Sequence, residues 1–272
     1  MAFDVNNFVI DRIIRGVALS HGEGNPVLFS INQIQNASLN CASESTDAVD
    51  AMGTPIATFY RAKSAEFSAE NALFDMNLMA TQLGTEKKVA SAAAKVVTPS
   101  MESFVVGEEA WDKKVVTDKY TLKHAPLVAP TEIYAINGDS TFGVKYVKES
   151  AASATAFVYS EEDNSITLPT DLANGTELFV MYEYESDKAV EVVNSAKNFP
   201  VGCKFVMEVL GCDVCDQTSL VYAYIVFPNF KLSPDFDWSV ATDGTHPFSG
   251  KAQQDYCDRE KKLFSVIIPG DA

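Results

Sequence analysis

Residues 51–85 read AMGTPIATFYRAKSAEFSAENALFDMNLMATQLGT, and a change of rhythm inside this stretch decides how the fold is read. Gly53-Thr54-Pro55 punctuates a turn. From Ile56 to Phe67, β-branched and aromatic residues are interleaved with Arg61, Lys63 and Glu66, which predicts a half-exposed strand. From Ser68 the composition becomes helical. Ser68 can accept from the orphan N–H groups of a first turn, and Glu70 suits the positive end of a helix dipole. Leu73, Met76, Met79, Ala80 and Leu83 fall at helical spacing, and Gly84 suits the residue just past a helix end. The stretch therefore predicts a strand feeding a helix near 69–83. It contains no nucleophile with a base, no phosphate-binding loop and no metal cluster, so function has to be read from architecture.

Working outward, residues 8–40 carry a strong turn cluster, His21-Gly22-Glu23-Gly24-Asn25-Pro26. The preceding apolar residues Val9, Ile10, Ile13, Ile14 and Val17 also fit a helical stripe. Gly16 would weaken such a helix by about 1 kcal/mol, which favours a long, irregular hairpin or arm over 1–26. Residues 85–118 show no clear core pattern and read as a crossing. Then YTLKH, TEIYAIN, FGVKYV, TAFVYS, SITL and ELFVMYEYES follow as short Val-, Tyr-, Phe- and Thr-rich runs between Ala-Pro, Asn-Gly-Asp, Glu-Glu-Asp-Asn and Asn-Gly signals. That pattern predicts a small β-sandwich over 118–187. KAVEVVNS, GCKFVMEVL, LVYAYIVFPNF and KKLFSVIIP are four further strand candidates. The expected organisation is a β domain whose halves are 1–117 and 188–272, interrupted by an inserted sandwich at 118–187.

Composition limits the functions available. With 272 residues, 47% of them hydrophobic, the chain has ample core and is not a disordered polypeptide. A net charge of −16 repels phosphate backbones and anionic membranes, so tight sequence-independent nucleic-acid binding is not expected. The opening MAFDVNNFVIDRIIRG carries Asp4 early and no basic leader before a long apolar run, so no secretory signal is expected. No stretch reaches the ~18 apolar residues needed to span a bilayer. Cys41, Cys203, Cys212, Cys215 and Cys257 are an odd count, widely spread, which argues against a disulfide framework.

The sharpest local motif is Cys212-Asp213-Val214-Cys215. A CxxC supplies two zinc thiolates or a redox pair, and Cys203, Cys257 or His246 could complete a metal site. Without a second CxxC the motif is half a site, and buried or turn cysteines in a hairpin are the favoured reading; no cofactor is expected. His21, His124 and His246 are far apart with no nucleophile elbow, and read as surface or turn residues. Asp235, Asp237, Asp243, Asp255 and Asp258 form an acidic series without a calcium-loop pattern, which reads as a solvated face. Tyr182-Glu183-Tyr184-Glu185 alternates like a strand with one aromatic face.

Several of these pieces together resemble the major tail tube proteins and related virion structural proteins of tailed bacteriophages. They are Asp50-Ala51-Met52-Gly53-Thr54-Pro55, the strand through Arg61-Ala62-Lys63-Ser64-Ala65-Glu66, ATQLG at 80–84, a sandwich ending in FVMYEYES, and the closing YIVFPNFKLSPDFDWSVATDGTHPFSGKAQQDYC and KKLFSVIIP. The resemblance implies a mainly β fold with one flanking helix: a β-sandwich or half-barrel carrying an inserted Ig-like sandwich. It implies a non-enzymatic homo-oligomer of hexameric rings, stacked into a virion tube with other virion proteins and assembled in the host cytoplasm. DNA would pass through an acidic lumen without tight binding, and no membrane would be involved. Under that reading Val9, Ile10, Ile13 and Ile14 of the 1–26 arm are subunit-interface residues, and 85–117 supplies further contacts. A capsid decoration or head protein, a β-sandwich binding module for carbohydrate or protein, and a metalloenzyme using Cys212 and Cys215 stand beside it.

Overall fold

The computed structural model describes residues 7–107, 114–116, 118–256 and 259–269. Cys257 and Asp258, two of the candidate ligands above, lie outside the described residues. The fold is mainly β with one helix among the described residues, and the chain divides into two compact units. Unit 1 comprises 1–87 and 192–272, and unit 2 comprises 88–191.

Unit 1 begins with β1 (Phe8–Ser20), β2 (Val27–Ile31), β3 (Ile34–Val49), β4 (Pro55–Asn71) and α1 (Met76–Gln82). Unit 2 holds β5 (Lys88–Val89), β6 (Val96–Val106), β7 (Lys114–Val116), β8 (Lys119–Thr121), β9 (Glu132–Ile136), β10 (Phe142–Lys148), β11 (Ala156–Ser160), β12 (Ser165–Thr167), β13 (Glu177–Ser186) and β14 (Val190–Glu191). The chain then returns to unit 1 with β15 (Gly202–Asp213), β16 (Asp216–Leu232), β17 (His246–Ala252) and β18 (Ser265–Ile267).

The unit 1 sheet runs β2-β1-β15-β16-β17-β4-β3, with β18 added to β16. Its two end strands, β2 and β3, are separated only by Asn32 and Gln33. Ends that far apart in pairing order and that close in sequence force the sheet to curl, giving a half-barrel. At the point where it curls most, Ile34 comes so near β1 that a Cβ on Gly16 would lie 2.9 Å from its Cδ1, so the strand needs glycine there. The concave side is filled by Phe67, Phe205, Phe227, Phe230 and Phe248 together with Phe29, Ile31, Leu78 and Met207. Phe205 lies within 5.3–6.2 Å of Phe29, Phe67, Phe227, Phe230 and Phe248 by ring centroid, in stacked, tilted and edge-on pairs.

The helix is shorter than the sequence predicts. Residues 68–71 belong to β4, not to a helix starting near 69. Phe67, Ala69 and Asn71 alternate inward while the strand is paired with β3 on one side and β17 on the other. That double pairing and alternate burial override the helical composition. Asp75, not Ser68, caps α1: its extended backbone precedes the first turn and its Oδ1 accepts from Leu78 N–H at 2.7 Å. The far end does stop at Gly84, whose φ of +66° is the left-handed conformation of a residue just past a helix.

Unit 2 is built on an eight-stranded sheet of order β7-β6-β13-β9-β10-β11-β12-β8, with β5 and β14 paired as a separate two-stranded sheet. Its far strand curls back over β6, so that the rings of Phe104 and Tyr120 stack at 3.9 Å and the two halves face each other as in a β-sandwich. The expected sandwich boundary at 118 falls inside this unit. β6 lies in the stretch expected to be a crossing, yet it pairs with β13 over ten positions and buries Phe104, Val105 and Val106. Pro99 and the polar residues between Thr98 and Ser103 mask its strand pattern in the sequence. Turns fall at the predicted Asn137-Gly138, Glu161–Asn164 and Asn174-Gly175 signals. The core is built on Phe104, Tyr120, Ile133, Phe157, Ile166, Leu178 and Val180. Within it Glu102, almost wholly buried, accepts from Tyr120 Oη (2.5 Å), Tyr182 Oη, Ser100 Oγ (3.2 Å) and Lys123 N–H (3.1 Å).

Candidate subunit interface

Unit 1 leaves sheet edges open. Among the described residues β3 pairs only with β4, so its outer edge has no partner strand there. β1 pairs with β15 from Phe8 to Ser20 but with β2 only from Gly16 to Leu19. Its outer edge from 9 to 15 therefore has no partner strand among the described residues. Unpaired strand backbone is a template for another chain unless something covers it.

The β3–β4 hairpin makes the case stronger. Every residue from 41 to 64 is exposed, whereas Ala65, Phe67, Ala69 and Asn71 of the same β4 are buried. The ladder continues through that exposed part, from Glu44↔Arg61 to Val49↔Pro55, so the ribbon is formed although nothing in its own unit packs on it. Nine residues of ribbon beyond Cys41 extend roughly 30 Å at ~3.4 Å per residue. A two-stranded ribbon is marginal in water without a third element. Its turn is built locally: Asp50 Oδ1 accepts from Met52 N–H (2.8 Å) and Thr54 N–H (2.9 Å), and Gly53 takes φ +84°.

This geometry presents apolar side chains. Met52 is 91% and Ile56 71% exposed, with Val49, Phe59 and Tyr60 also outward. Thr58 Oγ1 donates to Asp47 Oδ1 at 2.7 Å, so those two share one face, while the Thr46↔Phe59 and Ala48↔Ala57 pairs lie on the other. Sequence reasoning read Ile56–Phe67 as a half-exposed strand but did not single out Met52, Ile56, Phe59 and Tyr60 as interface residues. Turn chemistry at Asp50-Ala51-Met52-Gly53 marks the hairpin in the sequence, but nothing in the alternation of its strands marks which apolar side chains stay exposed.

The four residues expected at the interface divide. Val9 and Ile10, 50% and 52% exposed, stand on the open part of β1; Ile13 packs on the unit 1 core and Ile14 is half-buried. The segment is a full strand of the half-barrel rather than a loose arm, because Gly16 and Ala18 are buried and the whole strand is laddered to β15. Across that sheet Arg15 Nε donates to Glu208 Oε2 at 2.7 Å and Tyr224 Oη to Glu208 Oε1 at 3.2 Å, a polar row over β1, β15 and β16.

Cys212 is the last residue but one of β15, opposite Val9 and Leu220, and Cys215 sits in the two-residue turn to β16, its N–H donating to Asp213 Oδ1 at 2.8 Å. Both thiols are free, and among the described residues no group of three His, Cys, Asp or Glu side chains converges. Cys203 is wholly buried, its thiol donates to Phe230 O at 3.3 Å, and burial pushes it up to about 12. His21 lies in an exposed turn and His124 stacks on Tyr184 at 3.9 Å, but His246 is fully buried, contrary to the surface or turn reading. It opens β17 beneath α1, where polar partners for both ring nitrogens make burial tolerable.

No curated protein matches the chain. The model of the YomU/Tube protein family matches residues 14–265, from inside β1 to the start of β18, and so spans both units and the whole exposed hairpin. The open half-barrel with its projecting ribbon thus belongs to a chain that is a member of the YomU/Tube protein family.

Proposed function

We propose that the protein is a non-enzymatic structural subunit of a phage virion, a tail tube protein that closes into hexameric rings and stacks them around a DNA-conducting channel. The observation that carries this reading is the β3–β4 ribbon, formed and fully exposed from 41 to 64, beside the open edges of β3 and β1. Ring closure covers such edges by pairing them with the next subunit, and an apolar tip at Met52 and Ile56 suits a contact between rings. Membership of the YomU/Tube protein family supports the tube itself. An overall charge of −16 suits a channel wall that repels passing phosphates.

Negative-stain microscopy and sedimentation of the purified protein test the reading. The wild-type chain is expected to form rings and tubes. Met52→Glu with Ile56→Glu, both on exposed positions, is expected to keep the circular dichroism of the wild type and lose stacking. Monomers of the wild-type chain at every concentration and salt, or unchanged tubes from the double variant, would overturn it.

A further inference from the structure

His246 is wholly buried in unit 1 and uses both ring nitrogens. Nδ1 accepts from the Asp75 N–H at 3.4 Å, and Nε2 lies 2.8 Å from Gln82 Oε1. Gln82 Nε2 donates to Pro247 O at 3.1 Å, which orients the amide so that its oxygen is left to accept from Nε2–H. The hydrogen-bond network therefore assigns a neutral ring with its proton on Nε2. The ring stacks on Phe74 at 5.4 Å and meets Phe236 at 5.9 Å, and Phe74 in turn stacks on Trp238 at 4.5 Å. One imidazole thus ties β17 to both ends of α1, through Asp75 and Gln82, and to the segment 233–245 that carries Phe236 and Trp238.

A second proton would go on Nδ1. It would replace an acceptor by a donor facing the Asp75 N–H, and place a charge among Phe74, Phe236 and the Gln82 amide. The charged groups on the elements packed around the ring are Asp75 at the cap of α1, Glu70 on β4, which accepts from Thr245 Oγ1 at 3.2 Å, and Asp235, Asp237 and Asp243 on 233–245. These carboxylates favour the proton and burial opposes it. Burial prevails over Asp75 and holds the imidazole below its ordinary value.

We propose that His246 is an acid-sensitive latch: its neutral ring docks α1 and residues 233–245 onto β17, and protonation releases them. The sign follows from linkage. A released ring takes up its proton at the ordinary histidine value near 6.5, a docked ring only at lower pH, so docking is fully favoured above about 6.5 and weakens as pH falls through that window. Release uncovers Leu78 on the buried side of α1 along with the Phe74 and Phe236 rings.

Hydrogen exchange of the α1 amides from pH 7.5 to 5, with Trp238 fluorescence in a Trp111→Phe background, tests the latch. Protection factors over α1 are expected to fall by up to tenfold per pH unit below about 6.5, with a parallel change at Trp238, while β6 and β13 amides of unit 2 stay constant. His246→Gln is expected to abolish the pH dependence. Asp75→Asn keeps a capping side chain but removes the nearest negative charge, so the docked ring is harder still to protonate and the loss of α1 protection below about 6.5 is expected to be deeper and to continue to lower pH; it carries the test if His246→Gln does not fold. Constant α1 protection down to pH 5 in the wild type would overturn the latch. So would the same transition in His246→Gln, or a loss of protection no deeper in Asp75→Asn than in the wild type.

Discussion

The two units solve the same physical problem in opposite ways. Both are curled, mainly antiparallel sheets around aromatic cores. Unit 2 brings its far strand back over β6, so that Phe104 and Tyr120 stack across a core closed by its own strands. Unit 1 joins its ends only at the Asn32-Gln33 corner and leaves the outer edge of β3, the first half of β1 and a whole exposed ribbon uncovered. Backbone left open is satisfied by water in a monomer and by a neighbour in an assembly. The difference lies in the edges: among the described residues the end strands of unit 2, β7 and β8, are three residues each, whereas unit 1 ends on the long exposed β3.

The largest expected effect tests whether β1 belongs to the half-barrel. A chain starting at Asn25 loses the strand between β2 and β15, and with it the buried Ala18. Circular dichroism and thermal melting are expected to show unit 1 unfolded; a cooperative melt from the truncated chain would show β1 to be a dispensable arm. Next comes the core of each unit. Phe205→Ala is expected to cost about 3–5 kcal/mol in denaturant titrations that follow unit 1, since its ring touches five other phenylalanines.

The boundary between the units gives a sharper comparison. Replacing 88–191 by a short Gly/Ser link removes unit 2 at its β5–β14 base and is expected to leave unit 1 folded. Replacing only 118–187 strands β6 without β13 and is expected to give an aggregating product, read by size-exclusion chromatography. Equal behaviour of the two deletions would remove the distinction.

A smaller effect is confined to unit 2. Burial alone would raise the Glu102 carboxyl, but hydrogen bonds from Tyr120, Tyr182, Lys123 N–H and Ser100 carry it below the usual carboxylate value. A group depressed on folding stabilises above its unfolded value, near 4.3, and that contribution is lost as pH falls through the lower folded value. Tyr120→Phe is therefore expected to lower unit 2 stability by about 1–3 kcal/mol at neutral pH and to shift its acid unfolding to higher pH, with unit 1 unaffected. Acid melts that are superimposable for the two proteins would break this account. The smallest effect is Cys212→Ser with Cys215→Ser, expected to change the melting free energy by less than about 1 kcal/mol at these turn positions.

How much of this was legible beforehand depended on where each signal resides. Strands of unit 2 bounded by Asn-Gly or acidic turns were readable because turn chemistry is local. β6 was not, because its strand character comes from pairing with β13, some eighty residues away in the chain. Residues 68–71 read as helix because their composition is helical, and sheet pairing on both sides overrules that preference. At the candidate interface, Val9 and Ile10 were visible as excess apolar surface. Met52 and Ile56 were hidden, since an apolar alternation looks the same whether it faces a core or a neighbour. The burial of His246 was illegible for a related reason: its partners Asp75 and Gln82 are supplied from the other half of unit 1.

The interruption of unit 1 by unit 2 has a kinetic consequence during synthesis. Residues 8–71 emerge from the ribosome long before 202–252, the strands they need, so the half-barrel waits for nearly the whole chain. Unit 2 is complete once residue 191 is out, early enough for a compact unit to fold during that wait. High sequence separation slows the later step. The delay has an order built into it: the open edges of unit 1 take their final form only when the chain is almost released. For the tube subunit proposed above, this order would hold back polymerisation on the nascent chain until the subunit is nearly finished.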